Sequence, residues 1–125
     1  MQIVGEPSRI TAVSAVSDTA EAVIALDWSS SVDKRTSMIE LLGHLAQHSF
    51  TVRAIGTAAL AMAWVAAGRV DAYLNLRLRP WDVAAALLLI RESGGSLTAP
   101  DGSPIVWDVA GMACLASNGR LQLNL

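Results

Sequence analysis

Residues 79–82 read Arg-Pro-Trp-Asp and lie where a predicted strand gives way to a predicted helix. Pro80 suits the first position of a helix, which places Asp82 in the first turn. Free N–H groups and the helix dipole favour anions there. A carboxylate in that place can also bind a hard cation, with phosphate or water completing the shell. Acidic residues are routine in first turns, so Asp82 is either a metal ligand or a simple partner of the helix dipole.

A second predicted helix start also follows a strand and reads Gly56-Thr57-Ala58-Ala59, with Arg53 three residues upstream. Its small side chains would let a polar ligand reach the free N–H groups of the backbone. The same residues also suit an ordinary turn that needs glycine for its backbone angles. Because ligands of α/β sheets collect at the carboxyl ends of strands, we favour a ligand-binding role for both helix starts.

Three further features carry weaker signals. His44 and His48 stand four residues apart on a predicted helix, a spacing that can bind zinc, but no third ligand fits the pattern. Cys114 lies in an apolar segment and is expected to fill the core. Arg77 and Arg79 could meet a phosphate, although a solvated strand edge explains them equally well.

The elements that must position these residues alternate between strands and helices along the chain. An α/β fold follows, with one domain over residues 1–125 and a mixed, mostly parallel sheet of about five strands flanked by helices. Residues 71–78 alternate apolar and polar side chains, which predicts a half-buried strand. The predicted strands cover 10–16, 22–28, 50–55, 71–78 and 112–116, the helices cover 33–48, 58–67 and 81–93, and a hairpin joins 96–99 to 105–107.

Composition excludes several classes of protein. The 125 residues carry a net charge of −2, which argues against binding nucleic acid. The apolar stretches at 57–67 and 83–90 fall short of the roughly 20 residues that a membrane span needs. A single cysteine and no signal peptide indicate the cytoplasm. The mean hydropathy of +0.44 is high for a small domain, which indicates either a very well packed core or an apolar face kept for a partner.

Four segments together resemble a known family in order and spacing. They are Arg53-x-x-Gly56-Thr57-Ala58-Ala59, Trp64-Val-Ala-Ala-Gly68-Arg-Val-Asp71-Ala72-Tyr73, Pro80-Trp81-Asp82-Val-Ala-Ala and Arg91-Glu92-Ser93-Gly94-Gly95. This pattern resembles the inositol monophosphatase family, whose second signature contains the Trp-Asp and Glu-x-Gly-Gly elements. More weakly, Gly5-Glu6-Pro7 before Ile10 resembles the turn that opens the carboxy-terminal half of the family fold.

The resemblance implies Mg²⁺-dependent hydrolysis of a phosphate monoester of a small polyol or sugar, with metal ions activating a water. It implies that Asp82 is a metal ligand and that the Gly56-Thr57-Ala58 turn, with Arg53, belongs to the substrate site. Asn75 falls where inositol-preferring members carry a glutamate that binds a ring hydroxyl, which weakens the case for inositol phosphate itself.

The family's first signature, Asp-Pro-x-Asp-Gly-Thr, is absent from the sequence. Because it supplies most of the metal ligands, the chain resembles only the carboxy-terminal half of such an enzyme, and we expect it to be inactive alone. Two alternatives stay open: a subunit that needs a separate amino-terminal half, and a non-catalytic binding or oligomerisation module. In either case the apolar surplus would be the surface that the other half covers, or that a homo-oligomer buries.

Overall fold

The structure is a computed structural model that describes residues 11–28 and 32–125. The Gly5-Glu6-Pro7 turn and the first residue of the predicted strand 10–16 lie outside the described residues. The elements, in chain order, are β1 Val23–Leu26, α1 Val32–His48, β2 Thr51–Ala54, α2 Ala58–Ala66, β3 Ala72–Leu78, α3 Pro80–Glu92, β4 Ser96–Thr98 and β5 Met112–Ser117. A single 3₁₀ turn at Thr19–Glu21 precedes β1.

The five strands form one sheet in the order β2-β1-β3-β5-β4. Strand β1 is parallel to both β2 and β3, while β5 is antiparallel to both β3 and β4. The predicted α/β fold with a mixed five-stranded sheet is therefore confirmed. Parallel pairing accounts for two of the four strand pairs, so the sheet is evenly mixed rather than mostly parallel.

Helices cover both faces of this sheet. On one face, Met38 and Leu45 of α1 pack with Ile24 of β1 in a cluster of buried apolar side chains. On the other face, α2 and α3 pack against β1, β3 and β5, with Met62 and Ile90 buried in the second cluster. Each face thus buries its own apolar layer, which provides the main stabilising term of the fold.

The prediction that residues 71–78 form a half-buried strand is wrong in its burial. Strand β3 does form there, but the side predicted to face solvent is covered by α2 and α3. The exposed fraction of Tyr73 is 1% and that of Asn75 is 7%. Tyr73 and Asn75 are buried and hydrogen-bonded to each other, and only Arg77 on that side of the strand is exposed.

Residues 11–16 form no strand, contrary to the prediction for 10–16. Strand β1 pairs with β2 on one side and β3 on the other, so both of its edges are taken. It runs instead over the loops at the end of the sheet, where the N–H of Val13 donates to the carbonyl of Ser93 at 3.0 Å. Gly68 allows this close approach, since a Cβ there would lie 3.0 Å from the carbonyl oxygen of Ala12.

The hairpin predicted between 96–99 and 105–107 is also wrong. Residues 105–107 are not a strand, and β4 pairs with β5, in the register Leu97 to Ala116. The long connection between them contains the predicted turn at Pro100–Ser103, where Asp101 accepts a hydrogen bond from the N–H of Ser103 at 3.0 Å. Residues 99–111 connect β4 to β5, so the strand that pairs with β4 begins at Met112 and not at residue 105.

A buried carboxylate ties the segment at 11–18 to the sheet. Asp71 is 6% exposed and accepts hydrogen bonds from the Ser14 hydroxyl at 2.5 Å and from the N–H of Val23 at 2.7 Å. The side-chain amide of Asn118 donates to the Ser14 hydroxyl at 3.0 Å. The backbone N–H of Asn118 donates to the backbone carbonyl of Asp71 at 3.1 Å. This set, the Asp71 cluster, joins the start of β3, the start of β1 and the end of β5.

Helix α2 is apolar around its whole circumference, since Ala58–Ala66 contains no polar side chain. None of the helices within 11–28 and 32–125 has the length and apolarity that crossing a membrane requires. A helix of this kind belongs to a buried layer. Here, however, one side of α2 and its neighbour α3 is exposed, and we call this surface the outer face; it consists of Ala59, Leu60, Ala84, Ala85 and Leu88.

Candidate functional site

Three polar positions meet at one edge of the sheet because β1, β2 and β3 run parallel. Asp27 directly follows β1, Gly56 follows β2, and Asp82 lies in the first turn of the helix that follows β3. The carboxyl ends of parallel strands form the crevice in which α/β proteins bind ligands. Gly56 and Asp82 were predicted from the sequence as ligand-binding positions, and Asp27 was not.

Asp27 is half-buried and accepts three hydrogen bonds. Its Oδ1 atom accepts from the N–H of Ile55 at 3.1 Å and from the N–H of Gly56 at 2.5 Å. Its Oδ2 atom accepts from the hydroxyl of Tyr73 at 2.8 Å. One carboxylate therefore holds together the end of β1, the turn before α2 and the centre of β3.

The hydrogen bonds continue from Tyr73 along β3. The Tyr73 hydroxyl accepts from Nδ2 of Asn75 at 3.0 Å, and Oδ1 of Asn75 accepts from the N–H of Arg77 at 2.9 Å. Both polar atoms of the Asn75 side chain thus point to partners within the protein. We call Asp27, Gly56, Tyr73 and Asn75 the Asp27 network.

The Tyr73 hydroxyl stays protonated and so acts as a donor to Asp27. Burial raises the pKa of Tyr73 far above its ordinary value, because the phenolate would lose its hydration. The hydrogen bond to Asp27 and the negative charges of Asp27 and Asp82 raise this pKa further, while the hydrogen bond from Asn75 opposes them. Asp82, in the first turn of the helix that follows β3, is near enough to Tyr73 for its charge to add to this shift.

Asp82 occupies the third position of α3, after Pro80 at the first, as predicted. Its side chain is exposed, and Oδ2 accepts from the N–H of Arg79 at 3.4 Å. The Arg79 side chain donates to the carbonyls of Val109 and Ala110 at 2.9 and 3.2 Å, which fixes the loop beside the helix start. The Asp82 carboxylate retains accessible oxygen atoms that could bind a cation.

The residues present do not form a complete Mg²⁺ site. Among the described residues no three His, Cys, Asp or Glu side chains come together in a way that could hold a metal ion. Mg²⁺ prefers six oxygen ligands in near-octahedral geometry, several of which are waters or substrate oxygens. Asp82 can supply one such ligand, while Asp27 uses three of its about four acceptor positions for Ile55, Gly56 and Tyr73.

The backbone of the turn before α2 is accessible to a ligand, as its small residues predicted. Gly56 has a φ of +90°, and no atom lies within 4 Å of the position that a Cβ would take. Thr57 is the N-cap residue, but its side chain makes no capping hydrogen bond. The Thr57 side chain therefore leaves the N–H groups of the first turn of α2 uncapped. Uncapped N–H groups can donate to a polar ligand.

Arg53 lies apart from this turn. Its side chain is exposed on the edge strand β2 and lines a shallow groove of about 340 Å³ together with Val23, Trp64, Arg69 and Val70. Neither Gly56 nor Asp27 lines that groove. The structure therefore brings Gly56, Asn75 and Asp82 to the crevice at the carboxyl ends of the parallel strands. Arg53 lies in the separate shallow groove.

The histidine pair and the cysteine play no part in the site. Nε2 of His44 lies 3.0 Å from the Leu123 carbonyl, and the His48 ring stacks on that of His44 with centroids 4.4 Å apart. No third metal ligand joins them in the part of the chain that the structure covers. Cys114 is 1% exposed, as predicted for a core residue, and burial raises the pKa of its thiol to about 11.

Comparison with known proteins identifies the family. A model described as the inositol monophosphatase family matches residues 2–124. This chain belongs to the inositol monophosphatase family. Its relatives in that family include an inositol-1-monophosphatase of Bacillus subtilis, 39% identical over 105 residues, which are 84% of this chain and 39% of the relative. The Nus factor SuhB of Escherichia coli is 50% identical over 60 residues, which are 48% of this chain and 22% of SuhB.

Solved structures of the inositol monophosphatase family share the fold. The extragenic suppressor protein suhB of Bartonella henselae superposes with a TM-score of 0.81 and 30% identity, over 92% of this chain and 44% of that chain. The inositol monophosphatase of Anabaena (Nostoc) gives a TM-score of 0.78 and 33% identity, over 90% and 44% of the two chains. The chain thus spans less than half the length of the family members it matches.

Asp27 could have been found from the sequence by its position. The sequence predicted a strand over 22–28 that included Asp27, whereas β1 ends at Leu26 and Asp27 is the first polar residue after it. A carboxylate at the end of such a strand lies in the same crevice as the two helix starts that were singled out. The residue was overlooked because the predicted strand was two residues too long and placed Asp27 inside it.

Proposed function

We propose that this chain, as one domain over residues 1–125, provides the carboxy-terminal half of a Mg²⁺-dependent phosphatase of the cytoplasm. Its substrate would be the phosphate monoester of a small polyol or sugar. The chain alone would be inactive, because the remaining metal ligands belong to an amino-terminal half. Membership of the inositol monophosphatase family supports the phosphatase chemistry.

One observation carries this proposal: Asp82 lies at the same edge of the sheet as Asp27, and within residues 11–28 and 32–125 no group of three metal-binding side chains includes it. A metal-assisted phosphatase uses its ions to lower the pKa of a bound water and to stabilise the leaving oxygen. A single exposed carboxylate cannot hold the two or three divalent ions of such a centre. Asp82 is therefore suited to complete a centre whose other ligands come from a facing domain.

The substrate class follows from the polar groups around the turn before α2. Uncapped N–H groups and the Asp27 network offer both donors and acceptors to hydroxyl groups. Asn75 stands where inositol-preferring members carry glutamate, so its neutral amide favours another polyol or sugar phosphate as the preferred substrate. The substrate phosphate would lie towards Asp82, where a shared metal ion would balance its charge.

A second function is favoured by the outer face of α2 and α3. Leu60 is 41% exposed and Leu88 63% exposed on this face, where Ala59, Ala84 and Ala85 are also exposed. Such a surface is expected to be covered, either by the amino-terminal half or by a second copy of the chain. A homo-oligomer that buries this face would make the chain a non-catalytic module.

The proposal is tested by measuring phosphate release with Mg²⁺ from inositol 1-phosphate and from fructose 1,6-bisphosphate. The purified chain is assayed alone and after addition of the amino-terminal half of the Bacillus subtilis relative. We expect no turnover by either half alone and Mg²⁺-dependent turnover by the mixture. The Asp82→Asn variant should abolish the turnover of the mixture, whereas Asp33→Asn on α1 should leave it unchanged.

Two results would contradict the proposal. Turnover by the chain alone would show that its own residues suffice for the metal centre. A mixture that forms a stable complex but releases no phosphate would favour the non-catalytic module instead. Complex formation is followed by sedimentation velocity, so that an absent complex is distinguished from an inactive one.

A further inference from the structure

We infer that Asp27 is a specificity-determining residue, whose carboxylate accepts a hydrogen bond from a substrate hydroxyl in place of the side chain at position 75. This inference rests on the proposed function, because it concerns the polyol part of the same substrate site. It assigns a role to a residue that lies outside the family signatures. Asn75 and Asp27 differ in how far their acceptor atoms are engaged and in how exposed they are.

Asn75 is poorly placed to accept a hydrogen bond from a substrate hydroxyl. Its exposed fraction is 7%, and the N–H of Arg77 takes one of the two acceptor positions of Oδ1 at 2.9 Å. Its Nδ2 group donates to Tyr73 at 3.0 Å. The Asn75 side chain is thus held by partners on both sides, and breaking either hydrogen bond in a buried place is costly.

Asp27 offers a charged acceptor that is more exposed than the amide oxygen of Asn75. A carboxylate offers about four acceptor positions, and Asp27 uses three of them for Ile55, Gly56 and Tyr73. The residue is half-buried rather than buried, so the carboxylate remains accessible from the crevice. Hydrogen bonds to an ionised acceptor are stronger than neutral ones, which gives such a contact discriminating power.

The position of Asp27 also fits a hydroxyl-bearing ligand. Its Oδ1 atom contacts Gly56, the first residue of the open turn whose backbone faces the crevice. Leu26 pairs with Leu74 in the sheet, so Asp27 emerges next to Asn75 on the neighbouring strand. A ligand that reached the N–H groups at the start of α2 would therefore meet the Asp27 carboxylate beside them.

A purely structural role is the competing explanation. Asp27 would then serve only to hold the turn before α2 against β3, and substrate would meet the backbone alone. The two roles differ in what Tyr73→Phe should do. That variant removes one structural hydrogen bond from Asp27 but retains the carboxylate, whereas Asp27→Asn removes the charge and one acceptor.

The test is a nuclear magnetic resonance titration of the ¹⁵N-labelled chain with myo-inositol, a neutral polyol that needs neither phosphate nor metal. We expect the amide signals of Gly56 and Asn75 to shift in the unchanged chain. Asp27→Asn should raise the dissociation constant about tenfold or more, as expected for the loss of a hydrogen bond to a charged group. Asp27→Glu should recover part of the affinity, and Tyr73→Phe should lose less than Asp27→Asn.

Each outcome decides the matter. Equal binding by the unchanged chain and by Asp27→Asn overturns the role of Asp27 and leaves the proposed function standing. Losses of equal size in Asp27→Asn and Tyr73→Phe also overturn it, because they indicate a structural role. Absence of myo-inositol binding by the unchanged chain overturns the inference alone, because the proposed function favours a polyol or sugar other than inositol and is tested by phosphate release. Asp33→Asn, a carboxylate change on α1, is the matched control and should bind like the unchanged chain.

Discussion

The hydroxyl of Tyr73 donates to Oδ2 of Asp27 across 2.8 Å, although 46 residues separate them in the chain. The contact connects the middle of β3 to the loop after β1. Through the other carboxylate oxygen it also reaches the turn before α2. A single pair of side chains therefore fixes the relative position of the three elements that border the crevice.

The titration of Tyr73 should reveal this pair directly, because it is the only tyrosine in the sequence. Its pKa is raised first by burial and then by Asp27, so we expect no tyrosinate absorbance at the pH where an exposed tyrosine titrates, about 10. In Asp27→Asn the pKa should fall relative to the unchanged chain while burial keeps it above its ordinary value. Tyrosinate absorbance recorded against pH measures the shift, and identical curves would contradict it.

Removal of the buried charge at Asp71 should destabilise the fold. Asp71→Asn places an amide where the carboxylate accepts from Ser14 and from the N–H of Val23. We expect the free energy of unfolding to fall by about 2 kcal/mol, the order of magnitude for leaving a buried hydrogen-bonding group without its charged partner. Urea unfolding followed by circular dichroism measures the change. Asp101→Asn in an exposed turn is the control, and an equal effect there would contradict the role of burial.

Two glycines should respond to alanine in opposite directions. A Cβ at Gly95 would lie 2.6 Å from the carbonyl oxygen of Ser117 and 2.9 Å from side-chain atoms of Ile90 and Val13. We expect Gly95→Ala to cost about 2 kcal/mol of stability, as for an overpacked core. Gly43→Ala lies in α1 with open space around it and should instead stabilise by about 0.5–1 kcal/mol through helix propensity. Thermal unfolding compares the two, and shifts of the same sign would be inconsistent with this packing.

The free energy of unfolding should fall in alkaline solution because of Cys114. Burial raises the pKa of this thiol to about 11 in the folded chain, so the unfolded chain loses its proton first. This contribution to stability is complete below the unfolded pKa of about 9 and is lost as the pH rises through about 11. Cys114→Ala should lower stability overall through the cavity it leaves, yet show a shallower decline from pH 8 to pH 10. Parallel slopes for the two proteins would contradict the assignment.

Self-association should depend on the outer face of α2 and α3. Leu88 on this face is 63% exposed, and Ile39 on α1 is 60% exposed, so the two form a matched pair on different helices. We expect the chain to associate at micromolar concentration, Leu88→Glu to shift it towards monomer, and Ile39→Glu to leave it unchanged. Sedimentation equilibrium measures the mass. A clean monomer for the unchanged chain would contradict burial of this face by a second copy.

The sequence predicted most of the elements because their boundaries have local causes. Pro80 at the start of α3 and Gly56 before α2 act through their own backbone geometry, whatever lies around them. Asp82 was placed correctly in the first turn for the same reason. The helix start alone left Asp82 as either a metal ligand or a partner of the helix dipole, and the family pattern favoured the metal ligand.

The errors all concern partners that are distant in the chain. Residues 11–16 have β-branched composition, yet they contact Gly68, Ser93 and Asn118 instead of pairing with a strand. The polar side of β3 seemed to face solvent because nothing in residues 71–78 indicates that two helices cover it. Asp27 was missed since its importance depends on Gly56 and Tyr73, and neither lies near it in sequence.

The contact between Ser14 and Asn118 spans 104 residues, almost the whole described chain. A contact with so large a loop forms only after most of the intervening chain has been ordered, because loop closure costs entropy that earlier contacts must offset. We therefore expect the Asp71 cluster to be absent from the folding transition state. Changes at Ser14 should accelerate unfolding and leave the folding rate nearly unchanged, so this cluster governs the lifetime of the folded chain rather than the speed at which it is reached.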